Sequence, residues 1–260
     1  MLRFFRTIRK TLMEQNKIRT YLLYAVGEIA LVMIGILLAL QIINWNENVK
    51  ENKLEEQYYC RMVEDLTQDN ETILQHIQLS ESRIKASNQA LRLLQKGRPK
   101  KGEIGLAIGL SIRGIYSDFQ PSNAAFEDLK SGANLNIISD KSIIKALNNY
   151  FNTVSSIKSI INLNAQNAVD IYFSNDQNFQ NGKLEAQIDS ERLKETLEKD
   201  VYEALSADKD GLISEEMKNR LYNEAFSYLS ANSRQLELQK LILGDVNKVI
   251  ALVEPKCINL

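Results

Sequence analysis

At 260 residues, with 32 basic against 33 acidic side chains and a formal net charge of −1, the chain has room for one globular domain plus an anchor. It carries no global field that would draw nucleic acid or a strongly acidic substrate. One histidine and two cysteines are too few parts for a zinc site or a Ser-His-Asp relay, so no metal, no cofactor and no enzymatic activity are expected.

Leu2, Phe5, Ile8 and Leu12 recur at helical spacing among Arg3, Arg6, Arg9 and Lys10. Residues 1–20 therefore read as a cytoplasmic basic segment, either an amphipathic helix lying on anionic lipid or a plain topogenic cluster. From Tyr21 to Ile43 the chain is apolar apart from Gly27, Glu28, Gly35 and Gln41. About 23 residues give roughly 34 Å of helix, enough to cross a bilayer's hydrocarbon core, so a span is expected over residues 21–45. An ionised acid at mid-membrane costs about 3 kcal/mol, while about a dozen Leu, Ile and Val residues return roughly 0.3–0.6 kcal/mol each. Insertion wins. Tyr21, Tyr24 and Trp45 stand where interfacial aromatics belong, and the basic leader puts the N-terminus in the cytoplasm with residues 46–260 on the far side. A cleaved signal peptide would have a shorter apolar core ending in small residues; "LQIINWNE" offers no such site, so the span is read as an uncleaved signal anchor.

Glu28, Val32, Gly35, Ala39 and Ile42 share one helical stripe, with Gly35 and Ala39 forming a small-xxx-small pair. Such a stripe lets a second helix approach closely, and an acid on it faces that partner instead of lipid. The preferred reading is a membrane-helix contact through Glu28, Val32, Gly35 and Ala39, made with a second copy or another membrane protein. Two alternatives stand beside it: Glu28 as part of an ion pathway, or Glu28 snorkelling at the inner interface or bonded to Tyr24.

Beyond Trp45 no breaker occurs before Gly97, and one rod from Tyr21 to Lys96 would be on the order of 110 Å long. Tyr59, Met62, Leu66, Asn70, Ile73, Ile77, Ser80, Ile84, Ser87, Leu91 and Leu94 step by threes and fours, the seam of a bundle or coiled-coil helix. "GEIGLAIGLSIRGIYSDF" predicts a short helix despite its glycines. Ser122 is placed to cap another that bears Phe126 and Leu129 and ends at Gly132, and Ser139 or Asp140 to cap a longer one from Ile143 onwards. "ANLNIISD" is the one stretch with strand-like alternation. Leu193, Leu197, Val201 and Leu205 mark a further short helix. A last helix from Ser214 to about Val253 carries Leu221, Phe226, Leu229, Leu236, Leu241, Ile242, Val246 and Ile250 and stops before Pro255. The expected fold is all-α: one N-terminal transmembrane helix continuing into an elongated extracytoplasmic helical bundle, with three long members and a shorter subdomain at one end.

"LLYAVGEIALVMIGILLALQIINWNE", after the basic "FFRTIRK", resembles the N-terminal signature of an uncharacterised family of single-span Bacteroidota membrane proteins, a domain of unknown function. "AAFEDLKSGANLNIISDKSIIKALNNYFN" is similar to that family's second recurring stretch. Together they cover less than a third of the chain. The resemblance implies a Gram-negative envelope, hence an inner-membrane anchor and a periplasmic domain; it implies no activity, cofactor or catalytic residue.

Two further features complete the candidates. Cys60 and Cys257 would meet, near the membrane, if the first and last long helices run antiparallel, and an oxidising compartment would let them pair; otherwise they are two ordinary thiols. "SADKDGLISEEM" imitates a calcium loop through Asp208, Asp210, Gly211 and Ile213, but Met217 stands where the bidentate acid belongs, so it reads as a turn with Ser214 capping the next helix. The expected role is that of a bitopic membrane protein whose periplasmic bundle acts as an oligomeric scaffold, or as a sensor or interaction module; the lack of a cytoplasmic output domain after the span favours the scaffold. The alternative is an accessory subunit of an ion-driven envelope complex that uses Glu28. Any small-molecule ligand is left open.

Overall fold

The computed structural model describes residues 18–116, 119–132, 134–174, 195–204 and 211–257. The chain divides into two compact units, Met1–Glu56 and Gln57–Leu260. Its helices are α1 (Ile18–Gln95), α2 (Lys101–Ile112), α3 (Ala124–Ser131), α4 (Lys141–Ser174), α5 (Lys199–Ala204) and α6 (Glu215–Val253). Among the described residues there is no strand, only an isolated antiparallel bridge between Lys100 and Leu212. The fold is all-α, as expected. "ANLNIISD" forms a 3-10 turn at Asn134–Asn136, since an alternating stretch with no neighbouring strand has nothing to pair its backbone with. The basic leader before Ile18, most of the polar loop "SNDQNFQNGK", and Leu193 and Leu205 of the expected short helix lie outside the described residues.

In the first unit, α1 carries a window apolar and long enough to cross a membrane, none of it buried. Leu31 is 73% exposed and Ile42 66%. Nothing interrupts α1 until Gly97, whose φ of 143° is a conformation that side chains resist.

The second unit is a bundle built on the seam of α1. Tyr59, Met62, Leu66, Ile73, Ile77, Ser80, Ser87, Leu91 and Leu94 are buried, and Asn70 and Ile84 half-buried. α6 runs antiparallel to α1: Gln95 reaches Tyr222, Ser80 meets Gln239, Asn70 meets Asn247, and Cys60 is joined to Cys257. α4 is likewise antiparallel to α6. Its Ile143 and Leu147 share a core with Val249 and Val253, and its Ala165 and Ala168 with Leu221 and Ala225.

The segment between α1 and α4 departs from expectation. It is not a subdomain at one end but a broken fourth member that runs back along α1. The Gly114 carbonyl lies at Arg83, Phe119 at His76, the Ser122 amide at Asp69, the Ala125 amide at Asp65 and Asp128 at Arg61. Pro121 and the φ of 67° at Gly114 forbid one continuous helix, while Ile108, Ile112, Ile115, Phe119, Phe126 and Leu129 still bury along its whole length.

The capping of α3 also differs. Asn123 occupies the cap position and makes no side-chain cap bond. Instead, Asp65 Oδ2 accepts from the Ala125 amide at 2.9 Å and Asp69 Oδ1 from the Ser122 amide at 2.6 Å. Asp65 of α1 thus satisfies the free amide that a local cap would have taken, and Asp69 holds the residue just before the cap. Asp140 and Ser214 act locally as expected, Asp140 Oδ1 accepting from the Ser142 amide and Ser214 Oγ from the Met217 amide. α6 carries one correction. Phe226 and Leu241 are 60% and 54% exposed, and the buried face is Leu221, Glu224, Ala225, Tyr228, Asn232, Gln235, Leu238, Gln239, Ile242, Val246, Val249 and Val253.

The Cys60–Cys257 bridge, with its Cα atoms 4.8 Å apart, closes a sequence separation of 197 residues. Closing so long a loop removes much of the unfolded chain's freedom. Cys60→Ser/Cys257→Ser is expected to lower bundle stability by about 2–5 kcal/mol, read as a fall in the urea midpoint that adding reductant to the wild type reproduces.

Candidate functional site

The membrane-length part of α1 places Glu28, Val32, Gly35 and Ala39 on one face by helical spacing. Val32 is 56% exposed, Glu28 is half-buried, and a Cβ added at Gly35 would meet nothing within 4 Å. The stripe is therefore open to a neighbour. In water each exposed Leu, Ile or Val of this window forgoes roughly 1.5–3 kcal/mol of burial.

Inside the bundle the structure assembles a polar layer that hydrophobic patterning could not reveal. Arg83, from α1, is 3% exposed. Its Nε donates to Asn232 Oδ1 at 2.7 Å, Nη2 to Ser80 Oγ at 2.8 Å and Nη1 to the Gly114 carbonyl at 3.2 Å. Asn232 Nδ2 then donates to the Ser111 carbonyl, and Ser80 Oγ to Gln239 Oε1, both at 2.8 Å. α1, α6 and the broken member are tied together at one level. Burial pulls the Arg83 pKa down to about 10, so the guanidinium is still charged at neutral pH. Among the described residues its partners are neutral acceptors.

A second polar knot lies lower on α1. Asp69 is 1% exposed; its Oδ1 holds the Ser122 amide and its Oδ2 accepts from the Tyr150 hydroxyl at 2.7 Å. Burial raises the Asp69 pKa, the Ser122 and Tyr150 donors oppose that rise, and Asp65 adds to it. Burial and the Asp69 charge push the Tyr150 hydroxyl up.

The remaining candidates resolve differently. His76, the single histidine, sets its ring edge-on to Phe119 with centroids 6.2 Å apart. Both line a cavity of about 20 Å³ with Ile73, Lys158, Asn162 and Gln239, room for about one water molecule. In the calcium-like stretch, Asp208 and Asp210 lie outside the described residues. The Gly211 carbonyl accepts from the Lys101 amide, and Glu215 pairs with Arg98 and Lys218 at the surface. Among the described residues no three His, Cys, Asp or Glu side chains are grouped to hold a metal ion.

Sequence reasoning passed over Asp69, Arg83, Asn232, Gln235 and Gln239 as site residues. Their signal is positional: Asn232, Gln235 and Gln239 continue the three-four spacing set by Leu221, Ala225, Tyr228 and Ile242.

Two measurements test these knots. Arg83→Ala strips Asn232, Ser80 and the Gly114 carbonyl of their donor and leaves a void, and is expected to cost about 3 kcal/mol or more; adding Asn232→Leu to Arg83→Met is expected to recover most of it, both read by denaturant midpoint. For Asp69, a carboxyl whose pKa is higher folded than unfolded keeps its proton better in the native state. Its contribution is present below the unfolded value and lost as pH climbs through the raised native one. Asp69→Asn should therefore gain on the wild type as pH rises above the ordinary carboxylate range in urea titrations; a constant difference would refute the assignment. Compared with family models, curated proteins and solved structures, the chain matches none of them.

Proposed function

We propose that this chain is a membrane-anchored, non-enzymatic interaction protein: a single-span helix holding a periplasmic helical bundle on the outer face of a bacterial inner membrane, with the basic leader in the cytoplasm. The observation that carries the reading is the wholly exposed apolar window of α1. A core helix of a water-soluble protein buries such a window, and lipid is the solvent in which leaving it exposed costs nothing. The Cys60–Cys257 bridge supports the outer side, because structural disulfides persist in oxidising compartments. The balance of charge after Trp45, against the strongly basic leader, supports the same orientation.

Within that reading, the Glu28, Val32, Gly35 and Ala39 stripe is the contact with a second copy or another membrane protein, and the bundle acts as scaffold. Buried polarity in the bundle supports this more than catalysis. Arg83, Asn232, Ser80 and Gln239 bond to one another, and Asp69 to Tyr150 and Ser122, so these groups hold helices together.

Topology is tested first: a reporter fused after Leu260 must be active only outside the cytoplasm, and a mature chain beginning near Asn46 would defeat the anchor. Single cysteines at Gly35 or Ala39, crosslinked in native membranes, are expected to trap a dimer or a heterologous adduct; monomer at every position along the stripe ends the contact reading. Glu28→Gln is expected to leave insertion and assembly intact. Loss of a proton-dependent phenotype in that variant would instead favour the ion pathway.

A further inference from the structure

The bundle's apolar core is not continuous. One cluster holds Met62, Leu66, Ile73, Leu147, Val246 and Val253; the other holds Leu94, Ile104, Ile108, Leu221 and Tyr228 with their neighbours. Between them lies the polar layer of Ser80, Arg83, Ser87, Ser111, Asn232 and Gln239, all buried. The two lobes differ in how they are held. The first contains the Cys60–Cys257 bridge, and Cys257 packs against its core. The second is closed by an isolated bridge, with the Lys101 amide on the Gly211 carbonyl at 2.8 Å and the Ile213 amide on the Pro99 carbonyl at 3.3 Å.

They differ in filling too. Ala90, Ala107, Ala165, Ala168 and Ala225 make up a large part of the far cluster, whereas among the described residues Ala125 is the single fully buried alanine of the disulfide cluster. An alanine buries far less apolar surface than a Leu, Ile or Tyr, so the far lobe gains less from closing. The boundary itself favours separation. Opening next to a buried guanidinium returns its charge to water, which offsets part of what the broken hydrogen bonds cost.

We infer that the polar layer around Arg83 divides the bundle into two cooperative units, and that the lobe away from the disulfide opens on its own while the disulfide lobe stays folded. Opening bares Ile104, Ile108, Leu221 and Tyr228 at one end of a bundle that remains covalently closed at the other. That gives the fold a two-state element of the kind that switching by a partner requires. The inference concerns the bundle alone and holds whether or not α1 crosses a membrane.

Amide hydrogen exchange on the full chain in detergent micelles, without reductant, tests it. Segments 90–95, 104–112, 165–172 and 221–228 are expected to exchange at least about tenfold faster than segments 62–77, 143–157 and 242–249, each set moving together. Equal rates in the two sets, within about threefold, would overturn the division. Arg83→Met/Asn232→Leu joins the apolar clusters and should bring the two rates together; an unchanged ratio in the folded variant refutes the layer as boundary. Should that variant not fold, reduction of the wild-type disulfide decides instead. It must accelerate the 62–77 and 242–249 segments and shrink the ratio, and a ratio that does not shrink defeats the claim.

Discussion

Cys60 and Cys257 are separated by 197 residues, and joining them requires α6 to return along α1 in the opposite sense. Once that pairing is made, helical rise dictates what meets what. Asn70 falls opposite Asn247, Ser80 opposite Gln239, Arg83 opposite Asn232 and Gln95 opposite Tyr222. α4 then fills the groove antiparallel to α6, and the broken segment before it has one groove left, beside α1. A slip of one turn would part Arg83 from Asn232 and Ser80 from Gln239, and buried polar groups that lose their partners cost roughly 1–3 kcal/mol each. The disulfide and the polar layer therefore specify the same register by independent means.

The polar layer trades stability for that uniqueness. Replacing Arg83, Ser80, Asn232 and Gln239 by close-packed aliphatic residues would bury more apolar surface, yet such a seam would accept several registers with little penalty. The same logic explains why α3 has no cap of its own. One of its first amides is satisfied by Asp65 of α1, and Asp69 holds the Ser122 amide just before the helix. The broken member is thus tied to α1 by directional bonds where apolar packing alone would leave it free to slide.

α1 is one helix with two patterns of exposure. From Ile29 to Ile43 its side chains are exposed and, Gln41 apart, apolar or glycine; from Tyr58 on, only one seam is buried and the outer faces are charged. The change of pattern needs no break in the backbone, because helix propensity is indifferent to which faces are greasy while burial is not.

Much of this was legible beforehand for a physical reason: local patterns have local causes. The absence of breakers between Gly35 and Gly97, the three-four spacing of Tyr59 to Leu94, Asp140 and Ser214 as caps and Pro255 as a stop all act within a turn or two of helix, and the sequence by itself determined them. Tertiary structure decided what depends on partners distant in the chain. It put Phe226 and Leu241 outside and Asn232, Gln235 and Gln239 inside, because the face that α6 buries is chosen by α1 and α4 and not by hydrophobicity alone. It made Asp65 the cap of a helix 60 residues away, set Asp69 on the residue before that cap, and gave Arg83 neutral partners on two other segments. A polar residue announces in sequence only that it needs hydrogen bonds; where they are found is a property of the folded packing.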